Sequence, residues 1–340
     1  MNIKTKITKI HYDKNAKGIV FSILKLASKF YGIASGIKNI LYDNNILKSQ
    51  KVEAVVISVG NITTGGVGKT PAVAEIAKYL NNKGEKVAIV SRGYGGKLSN
   101  KNINLISDGE KVYYNSNLSG DEPYWLAKNT NAVVVTSKNR YKAATFAVKE
   151  FGVKYIILDD GFQHRKLHRD INIILIDSEK QFGNNCQLPA GPLRESKSSI
   201  NRADKIIVVS KNIAHEQAEK LIEKYKTYFN KDVYLCKIEP DLIYNIKNKE
   251  KLQNNNKIIA ITAIGQPEQF FAFLKDFDIK DKITYDDHHL YLKTDIPNTD
   301  IPIVTTEKDA VKLKDFDFKN IYALRLKTVL DVENLLKKSR

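Results

Sequence analysis

The residues with the clearest chemical purpose lie in Val55-Val56-Ile57-Ser58-Val59-Gly60-Asn61-Ile62-Thr63-Thr64-Gly65-Gly66-Val67-Gly68-Lys69-Thr70-Pro71. An apolar, β-branched run ends in a Gly-rich turn, and Gly68-Lys69-Thr70 opens a helical pattern that runs from Ala72 to Leu80. That order builds a cradle for polyphosphate. Gly65, Gly66, Val67 and Gly68 let backbone N–H groups curl around an anion, and the helix N-terminus adds partial positive charge. Lys69 reaches the outer phosphates, and the Thr70 hydroxyl can hold a magnesium ion. Pro71 suits a first turn, where the N–H it lacks has no helical partner. The general pattern has Gly where this chain has Thr63, so the strand before the loop and the helix after it carry much of the argument. The alternative is an ordinary Gly-rich strand-to-helix turn.

Phosphoryl transfer needs phosphates and metal positioned, developing charge neutralised and the attacking oxygen oriented. Asp159 and Asp160 follow the apolar run Tyr155–Leu158, as a magnesium-organising carboxylate does; Asp177 after Ile171–Ile176 competes, and Gly161 favours the first pair. Asp121 and Glu122 open a helical segment, where Ser119 and Glu122 have capping-box spacing and Asp121 can complement the helix dipole. Asp286-Asp287-His288-His289 offers a carboxylate beside an imidazole, suited to a general base, or else a surface turn. His164 and His168 stand four apart, but Arg165, Lys166 and Arg169 among them point to an anion-facing cluster or a solvated turn. Leu188-Pro189-Ala190-Gly191-Pro192-Leu193 leads to Arg194 and Glu195; Arg194 can clamp phosphate bidentately or form a local salt bridge.

These groups need a scaffold. Short apolar runs at Lys86–Val90, Ala132–Val135, Tyr155–Leu158, Ile171–Ile176 and Ile206–Val209 alternate with helical patterns such as Asn139–Glu150. The alternation predicts an α/β fold with a mostly parallel sheet and helices on both faces, with ligands beyond the carboxyl ends of the strands. From about residue 205 the pattern restarts: His215–Phe229 reads as helix, and Val233–Ile238, Ile258–Ile264, Ile301–Val304 and Ile321–Leu326 read as strands. The expected division is an N-terminal amphipathic segment (1–50), a core (51–205) and a smaller α/β domain (206–340) that closes a cleft.

A chain of 340 residues buries a large core, and its two cysteines, Cys186 and Cys236, show no disulfide or zinc spacing. The net charge of +17 fits an anionic membrane face, polyanionic substrates or plain Lys-rich composition; no nucleic-acid-binding signature accompanies it. Ile19–Tyr42 has apolar residues at helical spacing with Lys25, Lys29 and Lys38 between them. Its uncharged stretches fall short of a membrane span, so it reads as an interfacial helix or one packed on the core.

Taken in order, the segments resemble one family, the tetraacyldisaccharide 4′-kinases, the lipid A 4′-kinases of Gram-negative bacteria. The resemblance rests on Ser58 to Pro71, Ser91-Arg92-Gly93-Tyr94-Gly95, Gly120-Asp121-Glu122-Pro123, Asp159-Asp160-Gly161-Phe162-Gln163-His164-Arg165, Leu188 to Glu195, Asp287-His288-His289 and Thr306-Glu307-Lys308-Asp309-Ala310-Val311-Lys312. It implies a P-loop kinase that moves the γ-phosphoryl group of ATP, with Mg²⁺, to the 4′-hydroxyl of a tetraacylated glucosamine disaccharide 1-phosphate. By the same resemblance, Asp121 is the catalytic base tuned by His288, while Lys69 and Thr70 hold phosphate and Mg²⁺. Asp159, Asp160 and Glu195 organise metal and nucleotide, and Arg194 meets phosphate. The implied partners are ATP, the acylated disaccharide and the cytoplasmic surface of the inner membrane, into which the N-terminal helix dips; a monomer without nucleic acid is expected. Asp286 and Leu290 stand where the family pattern favours proline. The roles of Arg92, Tyr94, Glu307, Lys308 and Asp309 stay open between substrate contact and scaffolding. The rivals are a partition-type or metal-chaperone P-loop ATPase, whose loop carries a lysine near its start, and a non-enzymatic basic protein that binds membrane or nucleic acid.

Overall fold

The computed structural model describes residues 3–98, 102–211, 215–253, 256–265, 267–286 and 289–337. The chain forms two compact units, the first Met1–Cys236 with Leu330–Arg340, the second Lys237–Val329. These bounds differ from the expected ones. The strand and helix after residue 205 repeat the strand–helix rhythm of the core and belong to it, and the last residues return to it.

In the first unit the apolar runs become β1 (Val55–Gly60), β2 (Val87–Ser91), β4 (Val133–Thr136), β5 (Tyr155–Asp159), β6 (Ile171–Asp177) and β7 (Lys205–Ser210), and a more polar segment adds β3 (Asn104–Asp108). Their order is β7-β6-β1-β5-β2-β4-β3, with β3 antiparallel to β4. The other neighbours are parallel. Strands buried on both faces need no polar alternation, and this explains the continuous runs. The helices are α1 (Ile3–Tyr12), α2 (Ile19–Asp43), α3 (Lys69–Asn82), α4 (Ser116–Ser119), α5 (Asp121–Asn129), α6 (Arg140–Phe151) and α7 (His215–Phe229). Ala143, Ala144 and Ala147 of α6 pack against Val56, Ala88, Val133 and Ile156. Helix α3 buries Ala72, Val73, Ile76, Ala77 and Leu80 against β1, β2 and β5. Residues alternate across a strand, so each small-residue helix stripe meets one face of the sheet. The phosphate loop, Asp159-Asp160, Asp177 and Arg92 all follow the carboxyl ends of parallel strands, where ligands of such sheets sit.

The second unit has its own core. Strand β8 (Asp232–Asn245) leads into it, followed by β9 (Lys257–Thr262), helix α8 (Pro267–Phe273), β10 (Asp278–Thr284), β11 (Ile303–Thr306), helix α9 (Glu307–Leu313) and β12 (Ile321–Leu330); α10 (Val332–Leu336) belongs to the first unit. Parallel pairing gives the order β10-β9-β11-β12. Asp309 is fully buried. Its Oδ2 accepts from Thr262 Oγ1 at 3.1 Å, Ala263 N at 3.0 Å and Thr306 Oγ1 at 2.9 Å. Glu307 pairs with Arg325 and accepts from the Tyr244 hydroxyl. The Thr306–Asp309 motif thus ties β9 to the start of α9, a scaffolding role for residues whose function the sequence left open.

Helix α2 is amphipathic in an unusual sense. Its inward stripe is small and polar (Ser28, Gly32, Ser35, Asn39), while Ile19, Ile23, Phe30, Ile33, Ile37 and Ile40 face outward; Ile19 is 81% exposed and Phe30 68%. At 25 residues it is long and apolar enough, by length and composition, to cross a membrane. Lys25, Lys29 and Lys38 sit too sparsely to shorten the apolar window. It is nevertheless fastened along its length. Ser28 Oγ donates to Gln187 O at 2.8 Å, Tyr31 OH to Arg194 O at 3.0 Å and Lys38 Nζ to Gln163 O at 3.2 Å, while Asn39 Nδ2 donates to Glu195 Oε2 at 2.8 Å.

Candidate active site

The loop between β1 and α3 takes the form its glycines allow. Gly65 and Gly68 have φ of 100° and 99°, conformations that cost glycine nothing and other residues much. Thr63 is buried at the position where the general pattern has glycine, and its carbonyl and hydroxyl both accept from Asn61 Nδ2. Asn61 Oδ1 in turn accepts from Lys69 Nζ at 3.0 Å. One amide side chain therefore links the loop's entry to its lysine.

Beyond β5, Lys69 Nζ lies 3.5 Å from Asp160 Oδ1. Arg194 Nη1 donates to both Asp160 oxygens, at 2.9 and 2.8 Å, and its backbone N–H donates to Ile62 O at 2.7 Å. Burial alone would raise the Asp160 pKa, but Lys69 and Arg194 outweigh it and hold the carboxylate at about 2. Asp159 behaves oppositely. Only 3% exposed, it is pushed up to about 7 by burial first, then by Glu122 and Asp160, against the pull of Lys69 and Arg140. Adjacent carboxylates with pKa values driven apart are typical of sites that manage charge.

The structure thus brings together Lys69, Asp159, Asp160 and Arg194. The start of α5 joins them through the field of Glu122 on Asp159. Asp121 is the first residue of α5, after Gly120 at φ 93°; a Cβ on Gly120 would meet Tyr94 O at 2.6 Å, so the loop after β2 presses directly on this turn. The capping box expected between Ser119 and Glu122 does not form: Ser119 belongs to α4, and its hydroxyl donates to the Asn115 and Gly120 carbonyls. Glu122 instead contributes its negative charge to the field at Asp159. Glu195 Oε2 accepts from Arg202 Nη2 at 2.6 Å and from Asn39 Nδ2 at 2.8 Å. Asp287 and His288 lie outside the described residues. His164 and His168 are not on a helix. His164 is driven down to about 4 by burial and then by Arg140, Lys38, Arg169 and Lys166, and His168 lies 3.7 Å from Asp170.

Sequence reasoning missed Arg140. It is buried at the first turn of α6, its Nη2 lies 3.4 Å from Asp160 O, and its Nε has no hydrogen-bond partner. A cation at a helix N-terminus opposes the helix dipole. An arginine in that position just past a strand end was the available signal.

Does this arrangement suit magnesium? Asp159 Oδ1 is buried without a hydrogen-bond partner, an orphan acceptor that a cation or its water satisfies. Among the described residues, no three or more His, Cys, Asp or Glu side chains cluster as a metal cage. Mg²⁺ does not require one, because it takes one or two carboxylates and completes its shell with phosphate and water. Without nucleotide, Asp159 predicts a pH effect. Its pKa is raised above the unfolded value, so its stabilising contribution is complete below about pH 4 and is lost as pH rises through 7. Asp159→Asn is therefore expected to raise the melting temperature at pH 8, by a few degrees for about 1–2 kcal/mol, to raise it less at pH 5, and to leave it nearly unchanged at pH 4; equal shifts at pH 8 and pH 4 would contradict the assignment.

A Gly-rich strand-to-helix loop with its lysine, facing strand-end aspartates and surplus guanidinium groups, defines a P-loop phosphotransferase. The Tetraacyldisaccharide-1-P 4′-kinase family matches residues 20–339, and the chain belongs to that family. Tetraacyldisaccharide 4′-kinases from Halothermothrix orenii and Ruthia magnifica are 34% and 36% identical, over 94% and 95% of this chain and 93% and 98% of their own. The crystal structure of an "apo" form of LpxK from Aquifex aeolicus in complex with ATP superposes with a TM-score of 0.78 at 33% identity, covering 94% of this chain and 97% of that one.

Proposed function

We infer that the protein is a lipid A 4′-kinase that transfers the γ-phosphoryl group of ATP to the 4′-hydroxyl of a tetraacylated glucosamine disaccharide 1-phosphate, giving the bis-phosphorylated precursor. One observation carries this reading: Lys69, Asp159, Asp160 and Arg194 converge beside the phosphate loop in a chain matched to this kinase family from residue 20 to 339. The amides of Gly65 to Gly68 and the Lys69 ammonium hold the β- and γ-phosphates. Thr70 and Asp159 hold Mg²⁺, which supplies neutralising charge to the phosphates when bound. Asp121 accepts the proton of the 4′-hydroxyl as its oxygen bonds to the γ-phosphorus and the bond to ADP breaks. Arg194 and Arg140 stabilise charge on the moving phosphoryl group. Glu195, tied to Arg202 and Asn39, supports the loop that carries Arg194.

ATP consumption is expected to require the acceptor lipid. Consumption independent of acceptor is the result a partition-type ATPase would give, and it would overturn the reading. Against that rival, no lysine stands at the loop's start, where Thr63 and Thr64 are found.

The protein works as a monomer on the cytoplasmic face of the inner membrane. The outward face of α2 lies in the lipid interface, supported by its exposed Ile and Phe side chains and the net charge of +17. Its hydrogen bonds to the 187–195 segment favour a helix lying on the membrane over one that crosses it. Phe30→Ser with Ile37→Ser is expected to lower binding to anionic vesicles more than tenfold, since each buried apolar side chain contributes about 1.5–3 kcal/mol, while ATP affinity holds. Unchanged vesicle binding would return α2 to a purely structural role.

A further inference from the structure

The phosphate loop is held from outside as well as shaped by its glycines. The Thr64 carbonyl accepts from Tyr12 OH at 3.1 Å, and the Gly66 carbonyl accepts from Lys211 Nζ at 3.0 Å. Lys211 follows β7, and its side chain is only 9% exposed. Its ammonium also lies 3.4 Å from Asp177 Oδ2, at the end of the neighbouring strand. Asp177 Oδ1 is already engaged, accepting from the Glu179 and Lys180 amides at 3.0 and 2.9 Å. This carboxylate, which the sequence offered as a competitor for magnesium, is therefore the anchor of a lysine.

The consequence follows from peptide geometry. In a trans peptide the C=O and the N–H of the same unit point in opposite directions. Thr64 O shares its unit with Gly65 N–H, and Gly66 O shares its unit with Val67 N–H. Drawing those two carbonyls outward turns the two amides inward. Consecutive glycines would otherwise leave the loop many conformations, and most of them would not present converging amides to an anion.

We propose that Lys211 and Tyr12 are positioning residues for the nucleotide: they hold the Gly66 and Thr64 carbonyls outside the loop so that the Val67 and Gly65 amides face the phosphates. Lys211, anchored by Asp177, does this from the carboxyl end of β7, and Tyr12 does it from α1. The N-terminal segment thereby serves nucleotide binding as well as any lipid surface. Deleting residues 1–42 would remove Tyr12 along with α2, so it cannot separate the two roles.

The proposal rests on the reading of Gly65–Thr70 as the phosphate cradle, and the test separates the two. In the full-length protein, Mg²⁺-ATP affinity is measured by calorimetry, the KM of the lipid acceptor by kinetics and the melting temperature by circular dichroism. Lys211→Met is expected to weaken ATP binding on the order of tenfold, the scale of one charge-assisted hydrogen bond, and Tyr12→Phe about threefold. Lys211→Arg, which keeps a charged donor, should recover most of the affinity. Lys211→Met alone strands a buried carboxylate; Lys211→Met with Asp177→Asn removes it, and should melt near wild type yet still bind ATP weakly. The acceptor KM should stay within about twofold throughout. Wild-type ATP affinity in the folded double variant and in Tyr12→Phe would overturn the proposal, as would a parallel fall of both substrates with melting temperature. If Lys69→Ala also binds ATP normally, the cradle reading itself fails; if Lys69→Ala alone loses binding, only the bracing role does.

Discussion

Replacing Lys69 with alanine abolishes phosphoryl transfer while the protein stays folded. Lys69 Nζ sits between Asn61 Oδ1 at 3.0 Å and Asp160 Oδ1 at 3.5 Å, with the side chain 14% exposed. It is thus a cation already dehydrated and aimed at the mouth of the loop, where charge on a transferring phosphoryl group is costly to leave unmatched. Losing such a preorganised charge lowers kcat/KM by about 10³-fold or more. Stability should change little. Asp160 keeps both Arg194 contacts, so no carboxylate is stranded, and alanine suits the start of α3. Turnover near wild type would contradict the cradle.

Asp121→Ala is expected to lower kcat by about 10²–10⁴, the range for a lost acid–base group, with the KM of ATP nearly unchanged. Asp121 also opens α5, where any carboxylate interacts favourably with the helix dipole for about 0.3–1 kcal/mol. The two roles separate cleanly. If Asp121 only serves the helix, alanine costs stability and spares kcat. If it takes the proton, Asp121→Asn, which is nearly isosteric, is as inactive as alanine while the melting temperature holds. A change confined to substrate affinity would remove Asp121 from the chemistry.

The parts legible in the sequence were those fixed by local rules. Val55–Gly60 followed by Gly65–Thr70 read as strand, loop and helix because the apolar run, the glycines and the first-turn Pro71 each act over a few residues, and α7 appears at His215–Phe229 as its periodicity predicted. Asp159 and Asp160 were preferred over Asp177 because of Gly161. The Asp159-Asp160 pair and Asp177 all end apolar strands; in the structure Lys211 engages Asp177, whereas Lys69 of the phosphate loop engages Asp160. Long-range partners such as Lys211 and Tyr12 leave no local trace, and Arg140 leaves only an arginine at a helix N-terminus. Arg140, Lys211 and Tyr12 stand far along the chain from the loop they serve. Glu122 was misread because its spacing from Ser119 suits a cap, whereas the break between α4 and α5 at Gly120 places the two in different helices. The edge strands β3 and β10 escaped notice: Asn104–Asp108 and Asp278–Thr284 are polar and lack the buried, continuous apolar pattern of central strands. For α2 the sequence offered either a lipid-facing or a core-packed helix. In the structure the stripe of Ser28, Gly32, Ser35 and Asn39 lies against the protein and the isoleucines opposite it are exposed.

Tracing the label from γ-³²P-ATP into the acceptor lipid tests the account most directly. Reaction with the tetraacyl disaccharide 1-phosphate and Mg²⁺ should place the label on the lipid, and the label should survive mild acid, which cleaves the anomeric 1-phosphate and spares a 4′-ester. Label lost on acid treatment, or recovered only as free phosphate whether or not the lipid is present, would contradict transfer to the 4′-hydroxyl.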